Sequence, residues 1–151
     1  MGIIVRATPE NHLQMIAAAT STSFFTNEEI ECLKVDLTCS ESATLACVND
    51  TRDVIGFAQY GRLEITDRAW CLFWIAVDNK FRGSGVGSKL LSEVEKQITY
   101  LNGRVLFIET SSKTSYEPTR QFYLRHNYTV AASIKDYYSS GDSKVIFSKY
   151  F

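Results

Sequence analysis

Three glycines alternate where an apolar segment of the chain meets an amphipathic one. Gly83, Gly85 and Gly87 follow the apolar run 72–77, and the last of them lies at the start of residues 86–101, whose apolar side chains recur at helical spacing. Glycine lets the backbone approach a ligand closely, and the first N–H groups of a helix have no partner inside that helix. Since the helix dipole adds partial positive charge there, this junction is suited to binding an anion such as phosphate.

The spacing of the residues in this loop excludes two common nucleotide-binding motifs. A nucleoside-triphosphate loop needs four residues between its two glycines, followed by Lys and then Ser or Thr. Here Gly83 and Gly87 enclose three residues, and Ser88 precedes Lys89. The dinucleotide fingerprint would need a glycine where Ser88 stands. An ATP-binding protein is therefore a weak alternative, because Lys89 is misplaced for it.

The remaining pattern, Arg82-x-x-Gly85-x-Gly87, resembles the R/Q-x-x-G-x-G/A signature of the GNAT superfamily of N-acetyltransferases. The resemblance implies a loop that binds the pyrophosphate of acetyl-coenzyme A, preceded by a strand whose main-chain groups meet the pantetheine arm and the reacting carbonyl. The cosubstrate-binding residues it implies are Ile75, Ala76, Val77, Arg82, Gly83, Ser84, Gly85, Val86, Gly87 and Ser88.

Acetyl transfer to an amine needs a base, because an amine with a pKa near 10.4 is neutral in only about one molecule in two thousand at pH 7. Glu109 ends the apolar run 105–108, where burial would raise its pKa and an amine could approach. The family often uses a Glu on the corresponding strand. A solvent-exposed Glu109 paired with a lysine or arginine is the alternative, and Glu64 is a rival base.

A second catalytic residue follows from the resemblance of residues 122–128 to the family motif F/L-Y-x-x-x-G-F/Y. The tyrosine of that motif commonly protonates the sulfur of coenzyme A, which makes Tyr123 the candidate acid. Asn127 replaces the usual glycine, and asparagine also accepts the left-handed conformation that ends a helix. Tyr116 stands where many members place an asparagine that contacts the pantetheine arm, so the resemblance does not carry that contact over to this chain.

The resulting hypothesis is an N-acetyltransferase in which a bound primary amine attacks acetyl-coenzyme A directly. Direct attack is preferred because none of the four cysteines has an evident partner base. Phe24, Phe25 and the segment 136–138 would shape the acceptor site, and the acceptor itself stays open. The alternative from another class is a module that binds acetyl-coenzyme A as a sensor or scaffold without turnover.

Composition narrows the class of protein further. The chain has 151 residues, 45% apolar and 22% charged, which predicts one globular domain over residues 1–151. A net charge of -1 without basic runs argues against a nucleic-acid partner, and the absence of long apolar segments or a secretion signal argues against a membrane and for the cytoplasm. The cysteines and histidines do not have the spacing of metal ligands, so we expect no bound metal. We also expect the cysteine thiols to be reduced. A homodimer is one option for the assembly.

Hydrophobic patterning predicts the element order β-α-α-β-β-β-α-β-α-β-β and an α+β fold, with a mixed, mostly antiparallel sheet flanked by helices. Asn27 is the expected N-cap of the second helix, with Glu28 and Glu29 in its first turn. Asn102 and Gly103 should end the long helix that follows the glycine loop, and Pro118 should begin the next one. This order is also that of the GNAT fold.

Overall fold

A computed structural model describes residues 2–151, which form seven strands and four helices. The strands are β1 (Ile3–Arg6), β2 (Ala43–Val48), β3 (Val54–Arg62), β4 (Ala69–Val77), β5 (Val105–Ser111), β6 (Thr129–Ser139) and β7 (Asp142–Tyr150). The helices are α1 (His12–Ser21), α2 (Asn27–Asp36), α3 (Val86–Tyr100) and α4 (Glu117–Arg125). The predicted element order and the α+β class are confirmed.

All seven strands belong to one mixed sheet with the order β1-β2-β3-β4-β5-β7-β6. Neighbouring strands are antiparallel except for β4 and β5, which are parallel. A parallel pair needs a crossover between its strands, and α3 supplies it, as in other β-α-β units. The glycine loop is therefore the turn from β4 into this crossover helix.

The helices cover both faces of the sheet. On one face, α3 packs Leu90, Leu91, Val94 and Ile98 against the strands, and this core continues to Tyr123 of α4. On the other face, Met15 and Ala19 of α1 and Leu33 of α2 pack against Phe57 and other residues of the central strands. Residues 54–61 of β3 are buried throughout, which explains why all of them except Gln59 are apolar or glycine.

The one parallel pair of strands separates halfway along its length. The register joins Ala69 to Val105 and runs as far as Leu72 and Ile108, although β4 continues to Val77 and β5 to Ser111. On the other side of β4, Gln59 pairs with Trp74 and Tyr60 with Leu72, so Phe73 is a β-bulge residue. The edge of β4 after this bulge has no pairing with β5, and a cleft opens between the two strands.

Helix ends agree with the predicted signals, with one correction. Asn102 and Asn127 both have positive φ, at 58° and 67°, and follow the last turns of α3 and α4 as expected. The N-cap of α2 is Thr26, one residue before the predicted Asn27. Its hydroxyl accepts from the N–H of Glu29 at 3.2 Å, while its own N–H donates to the Glu29 carboxylate at 2.7 Å. This reciprocal pair is a capping box, which Asn27 cannot form with the same Glu.

Candidate active site

The cleft between β4 and β5 has a volume of about 1060 Å³. Its floor is the separated part of β4, and its walls come from the glycine loop, the end of β5, α4, the α1–α2 segment and the β6–β7 hairpin. Main-chain groups of β4 that face β5 have no strand partner there. Ile75, Ala76 and Val77 of the predicted cosubstrate site all lie on this floor.

The glycine loop forms one end of the cleft. Gly85 is the N-cap of α3 with φ of 87°, and Gly83 has φ of 74°, two conformations that favour glycine. The space beside both α-carbons is open, and α3 has no side-chain cap. The N–H groups of Val86, Gly87 and Ser88 therefore face the cleft without a partner in the helix. The first paired N–H is that of Lys89, which donates to the carbonyl oxygen of Gly85 at 3.0 Å. The unpaired groups can bind an anion.

Two side chains add to the positive charge at this end. Arg82 and Arg125 both line the cleft, and neither forms an ion pair within residues 2–151. The Arg82 guanidinium lies 4.6 Å from the centroid of the Phe24 ring, a cation–π contact. Arg82 thus connects the glycine loop to the segment between α1 and α2.

The ring of His126 is half-buried beneath the first turn of α3. Its Nδ1 lies 2.7 Å from the carbonyl oxygen of Phe122 and its Nε2 lies 2.9 Å from the Ser88 hydroxyl. The Phe122 ring packs against the imidazole with a centroid distance of 4.3 Å. The hydrogen bond between His126 and Ser88 joins α4 to the glycine loop. The sequence pattern does not reveal it, because it depends on how the two helices pack.

Tyr123 lies on α4 with its side chain 3% exposed and borders the cleft. Its hydroxyl has no hydrogen-bond partner within residues 2–151, unlike that of Tyr128, which donates to Glu95 at 2.9 Å. Burial raises the pKa of Tyr123 well above its ordinary value, and Cys71 beside it adds to the effect. The phenol is therefore protonated throughout the neutral range.

Glu109 borders the cleft from β5, but the burial expected for it is not found. Its side chain is 46% exposed, and its Oε2 lies 2.8 Å from the Nζ of Lys144 on β7. The exposed, lysine-paired arrangement considered as the alternative is therefore the one present. Lys144 was not identified from the sequence, since the contact depends on the register of β5 and β7.

The rival base Glu64 lies elsewhere. It follows β3 in an exposed turn, at the end of the sheet where Arg62 pairs with Trp70. The glycine loop follows Val77, which pairs with Gly56 at the opposite end of the same two strands. Glu64 is not among the residues that line the cleft. The structure thus brings Glu109, but not Glu64, to the same cavity as Tyr123.

The acceptor end of the cleft is aromatic and acidic. Phe24, Phe25, Tyr116 and Tyr138 line it together with Glu28, Glu29 and Asp142. Asp142 pairs with Lys113 at 3.6 Å, and Lys113 also lines the cleft, whereas Glu28 and Glu29 form no ion pair within residues 2–151. The cleft is thus cationic beside the glycine loop and acidic at its other end. Such a division suits an anionic ligand on one side and a cationic one on the other.

The cysteines are all free thiols. Cys47 and Cys71 are buried, whereas Cys32 and Cys39 are exposed. Cys71 borders the cleft, and burial together with the nearby Glu109 charge raises its pKa to about 12, although Lys144 opposes this. A thiol with such a pKa is almost entirely protonated at neutral pH and is a weak nucleophile.

No helix in residues 2–151 is both long enough and apolar enough to span a membrane. Within the same residues, no group of three or more His, Cys, Asp or Glu side chains is arranged to hold a metal ion.

Comparison with known proteins identifies the family. Residues 41–130 match the family model of the acetyltransferase (GNAT) domain. An acetyltransferase assigned to the GNAT family from Desulfovibrio desulfuricans is 33% identical, with a TM-score of 0.92 over 99% of each chain. A search of curated proteins gave no significant match.

More distant solved structures share the fold. The ribosomal-protein-S18-alanine N-acetyltransferase from Escherichia coli is 15% identical with a TM-score of 0.81, over 99% of this chain and 94% of that one. An aminoglycoside 6'-N-acetyltransferase in complex with coenzyme A is 17% identical with a TM-score of 0.77, over 98% and 96%. From the family match and the 33% identical structure, we conclude that the chain belongs to the GNAT family of acetyltransferases, which use acetyl-coenzyme A.

Proposed function

We propose that residues 1–151 act as one N-acetyltransferase domain that transfers an acetyl group from acetyl-coenzyme A to a primary amine. The observation that carries the proposal is the cleft itself, where unpaired N–H groups of α3 and the separated edge of β4 border the same cavity as Glu109 and Tyr123. One end offers donors to a diphosphate, and the other offers a carboxylate and a phenol to the reacting groups.

The residues present fit acetyl-coenzyme A. The open space beside Gly83 and Gly85 leaves room for a diphosphate against the backbone, with Arg82 and Arg125 to balance its charge. The edge of β4 from Phe73 to Val77 offers main-chain groups to an extended amide-containing arm, as an added strand would use them. Acetyl-coenzyme A would supply the acetyl thioester, whose carbonyl carbon accepts the amine nitrogen as the C–S bond breaks.

Glu109 is assigned the role of base. An amine enters as an ammonium ion, and an ionised carboxylate at the acceptor end can take its proton directly or through a water molecule. The exposure of Glu109 supports a role for water, since a half-exposed carboxylate is open to solvent from the cleft. The freed amine nitrogen then forms the new C–N bond.

Tyr123 is assigned to the departing sulfur. Its phenol is protonated, has no protein acceptor within the described chain and borders the cleft. Since its raised pKa lies far above the 8.5 of an ordinary thiol, we expect it to stabilise the thiolate mainly by donating a hydrogen bond. This would refine the general-acid role expected from the family motif.

Direct attack by the amine is preferred over a covalent acetyl-cysteine intermediate. Cys71 is the cysteine that borders the cleft, and its raised pKa leaves almost no thiolate at neutral pH. The acceptor is proposed to be cationic because Glu28 and Glu29 line its end of the cleft and form no ion pair within residues 2–151. Its identity stays open.

The test is release of the coenzyme A thiol in the presence of a panel of amines. Useful members are 1,4-diaminobutane, tyramine, kanamycin and a peptide with an amino-terminal alanine, with calorimetric binding of acetyl-coenzyme A measured in parallel. Thiol release that depends on one of these amines, with the acetylated amine identified by mass spectrometry, supports the proposal. Tight binding without turnover on any amine would contradict it and favour the sensor or scaffold alternative.

A further inference from the structure

The β6–β7 hairpin contains a bulge that places two tyrosines over Lys144. Where β6 pairs with β7, Ile134 lies opposite Lys144, and the next pair towards the turn joins Ser139 to Asp142. Residues 135–138 of β6 therefore stand opposite Ser143 alone. This extra length folds across β7, and the Lys144 ammonium lies 3.7 Å from the centroid of the Tyr137 ring and 5.8 Å from that of Tyr138.

The bulge is held by hydrogen bonds from its own polar residues. Asp136 adopts a positive φ of 54°. Its carboxylate accepts from the N–H of Gly141 at 2.8 Å, and its N–H donates to the Ser143 hydroxyl at 3.2 Å. Aspartate tolerates this left-handed conformation better than most residues. The position of the two tyrosines is thus built into the hairpin.

Lys144 is unusually buried for a lysine, at 10% side-chain exposure, and its carboxylate partner within residues 2–151 is Glu109 at 2.8 Å. In the register of β5 and β7, Lys144 pairs with Ser111, which is two residues from Glu109 on the same face of the strand. The ion pair is therefore a diagonal contact across neighbouring strands. A buried ammonium is costly unless it is paired, so the carboxylate and the tyrosine ring compensate for its lost hydration.

We infer that Lys144 is a positioning residue for acetyl transfer, which binds Oε2 of Glu109 and so leaves Oε1 as the oxygen that receives the acceptor's proton. This rests on the proposed function, because it assigns Lys144 a role through Glu109. A glutamate side chain that is 46% exposed would otherwise sample many rotamers. The anchored ammonium confines it to one, and Oε1 has no protein partner within residues 2–151.

Lys144 also places a positive charge beside the Glu109 carboxylate. The titratable groups that face this carboxylate are Lys144 on β7, Tyr138 on β6 and Cys71 on β4. Of these three, Lys144 is the cation, and an adjacent cation stabilises the ionised form of a carboxylate. Removing the lysine takes this stabilisation away, so the fall in rate on the acid side of the pH profile should move to higher pH.

The experiment measures the pH profile of kcat/KM with the panel amine that gives the fastest thiol release. The acidic limb is the fall in kcat/KM on the acid side of this profile, and in Lys144→Met it should move to higher pH by about one pH unit. This value is the low end of the effect expected for loss of an adjacent opposite charge, because the carboxylate is half-exposed. Lys144→Arg should restore the limb towards its original position. A carboxyl ¹³C titration of Glu109 in the free protein should show the same displacement without any turnover.

Two further variants keep the test decisive. Tyr137→Leu removes the ring over the ammonium at a half-exposed position, so folding is not at issue, and it should displace the limb in the same direction by less. Lys149→Met is the matched control. Lys149 lies on the same strand and pairs with Glu95 at 3.1 Å, away from the cleft, so its variant should leave the limb in place.

The possible failures can be told apart. If Glu109→Gln abolishes the acidic limb while Lys144→Met and Tyr137→Leu leave it and the carboxyl titration unmoved, the role of Lys144 is overturned and the proposed function stands. If the limb persists in Glu109→Gln, Glu109 is not the base, and the role of Lys144 fails with it. If no amine is acetylated, the proposed function itself fails.

Discussion

The Tyr116 hydroxyl donates a hydrogen bond to the main-chain carbonyl oxygen of Phe24 at 3.2 Å, which joins the loop after β5 to the segment between α1 and α2. The two rings also approach to 6.3 Å between centroids. Arg82 of the glycine loop packs on the same Phe24 ring. One phenylalanine therefore connects three segments that border the cleft, at the boundary between its cationic and acidic ends.

Tyr116→Phe should weaken binding of the acceptor while leaving acetyl-coenzyme A binding nearly intact. The variant removes one hydrogen bond, worth about 1 kcal/mol, from the segment that carries Phe24 and Phe25. We expect the KM of the acceptor to rise by about fivefold in steady-state kinetics at saturating acetyl-coenzyme A. An unchanged acceptor KM would show that this contact does not shape the acceptor site.

The same tyrosine predicts a loss of stability at alkaline pH. Burial raises the pKa of Tyr116 to about 12, and the charges of Glu29 and Asp142 contribute. An unfolded tyrosine ionises near 10. The neutral phenol therefore favours the folded state below pH 10, and this contribution is lost as the pH rises from about 10 towards 12.

Denaturant titrations followed by circular dichroism at several alkaline pH values will measure this loss. In Tyr116→Phe, stability should fall less steeply over the same pH range, because phenylalanine does not ionise. The difference in absorbance at 295 nm between the two proteins should place the ionisation of Tyr116 near pH 12. A difference spectrum that develops fully around pH 10 would contradict the burial of this hydroxyl.

Gly85→Ala and Gly87→Ala form a matched pair within the glycine loop. Gly85 needs a φ of 87°, which costs an L-residue roughly 1–2 kcal/mol, whereas the space for a new methyl at Gly87 is bounded by ordinary contacts of 3.5 Å and 3.7 Å with Phe122 and Val77. We expect Gly85→Ala to raise the Kd of acetyl-coenzyme A by about tenfold or more and Gly87→Ala to change it little. Equal effects in calorimetry would contradict the role of the loop conformation.

Tyr123→Phe should lower kcat by roughly 10²- to 10³-fold, because the departing sulfur loses its donor at the moment when charge develops on it. The KM of acetyl-coenzyme A should hardly change, since the ring that packs in the core is retained. Tyr128→Phe is the control. It removes the neighbouring hydroxyl that donates to Glu95, away from the cleft, and should lower stability without lowering turnover. A Tyr123→Phe enzyme with normal kcat would remove Tyr123 from the mechanism.

The sequence predicted the loop, most of the helix ends and the element order because these features are local. Alternating glycines before a helix with an apolar face, and Asn127 after α4, can each be interpreted from a few neighbouring residues. The N-cap of α2 was misplaced by one position, although Thr26 and Glu29 have the spacing of a capping box. That signal was in the sequence, and the neighbouring Asn27 is a good cap by residue type alone.

Features that depend on strand register could not be predicted in the same way. The bulge at Phe73 lies inside a continuous apolar run, where one extra residue has no compositional marker. The ion pair of Lys144 and Glu109 depends on the alignment of β5 with β7, and a shift of one residue would move the lysine to the other face. The exposure of Glu109 follows from the separation of β4 and β5, which the apolar residues before it do not reveal.

The most direct test is an NMR titration of the ¹⁵N-labelled protein with acetyl-coenzyme A, following the amide resonances of residues 83–88. If the unpaired N–H groups at the start of α3 bind the diphosphate, these resonances should move in a saturable way, and more than those of the turn at residues 49–53, which does not border the cleft. Saturable binding that leaves the amides of residues 83–88 unmoved would contradict the account.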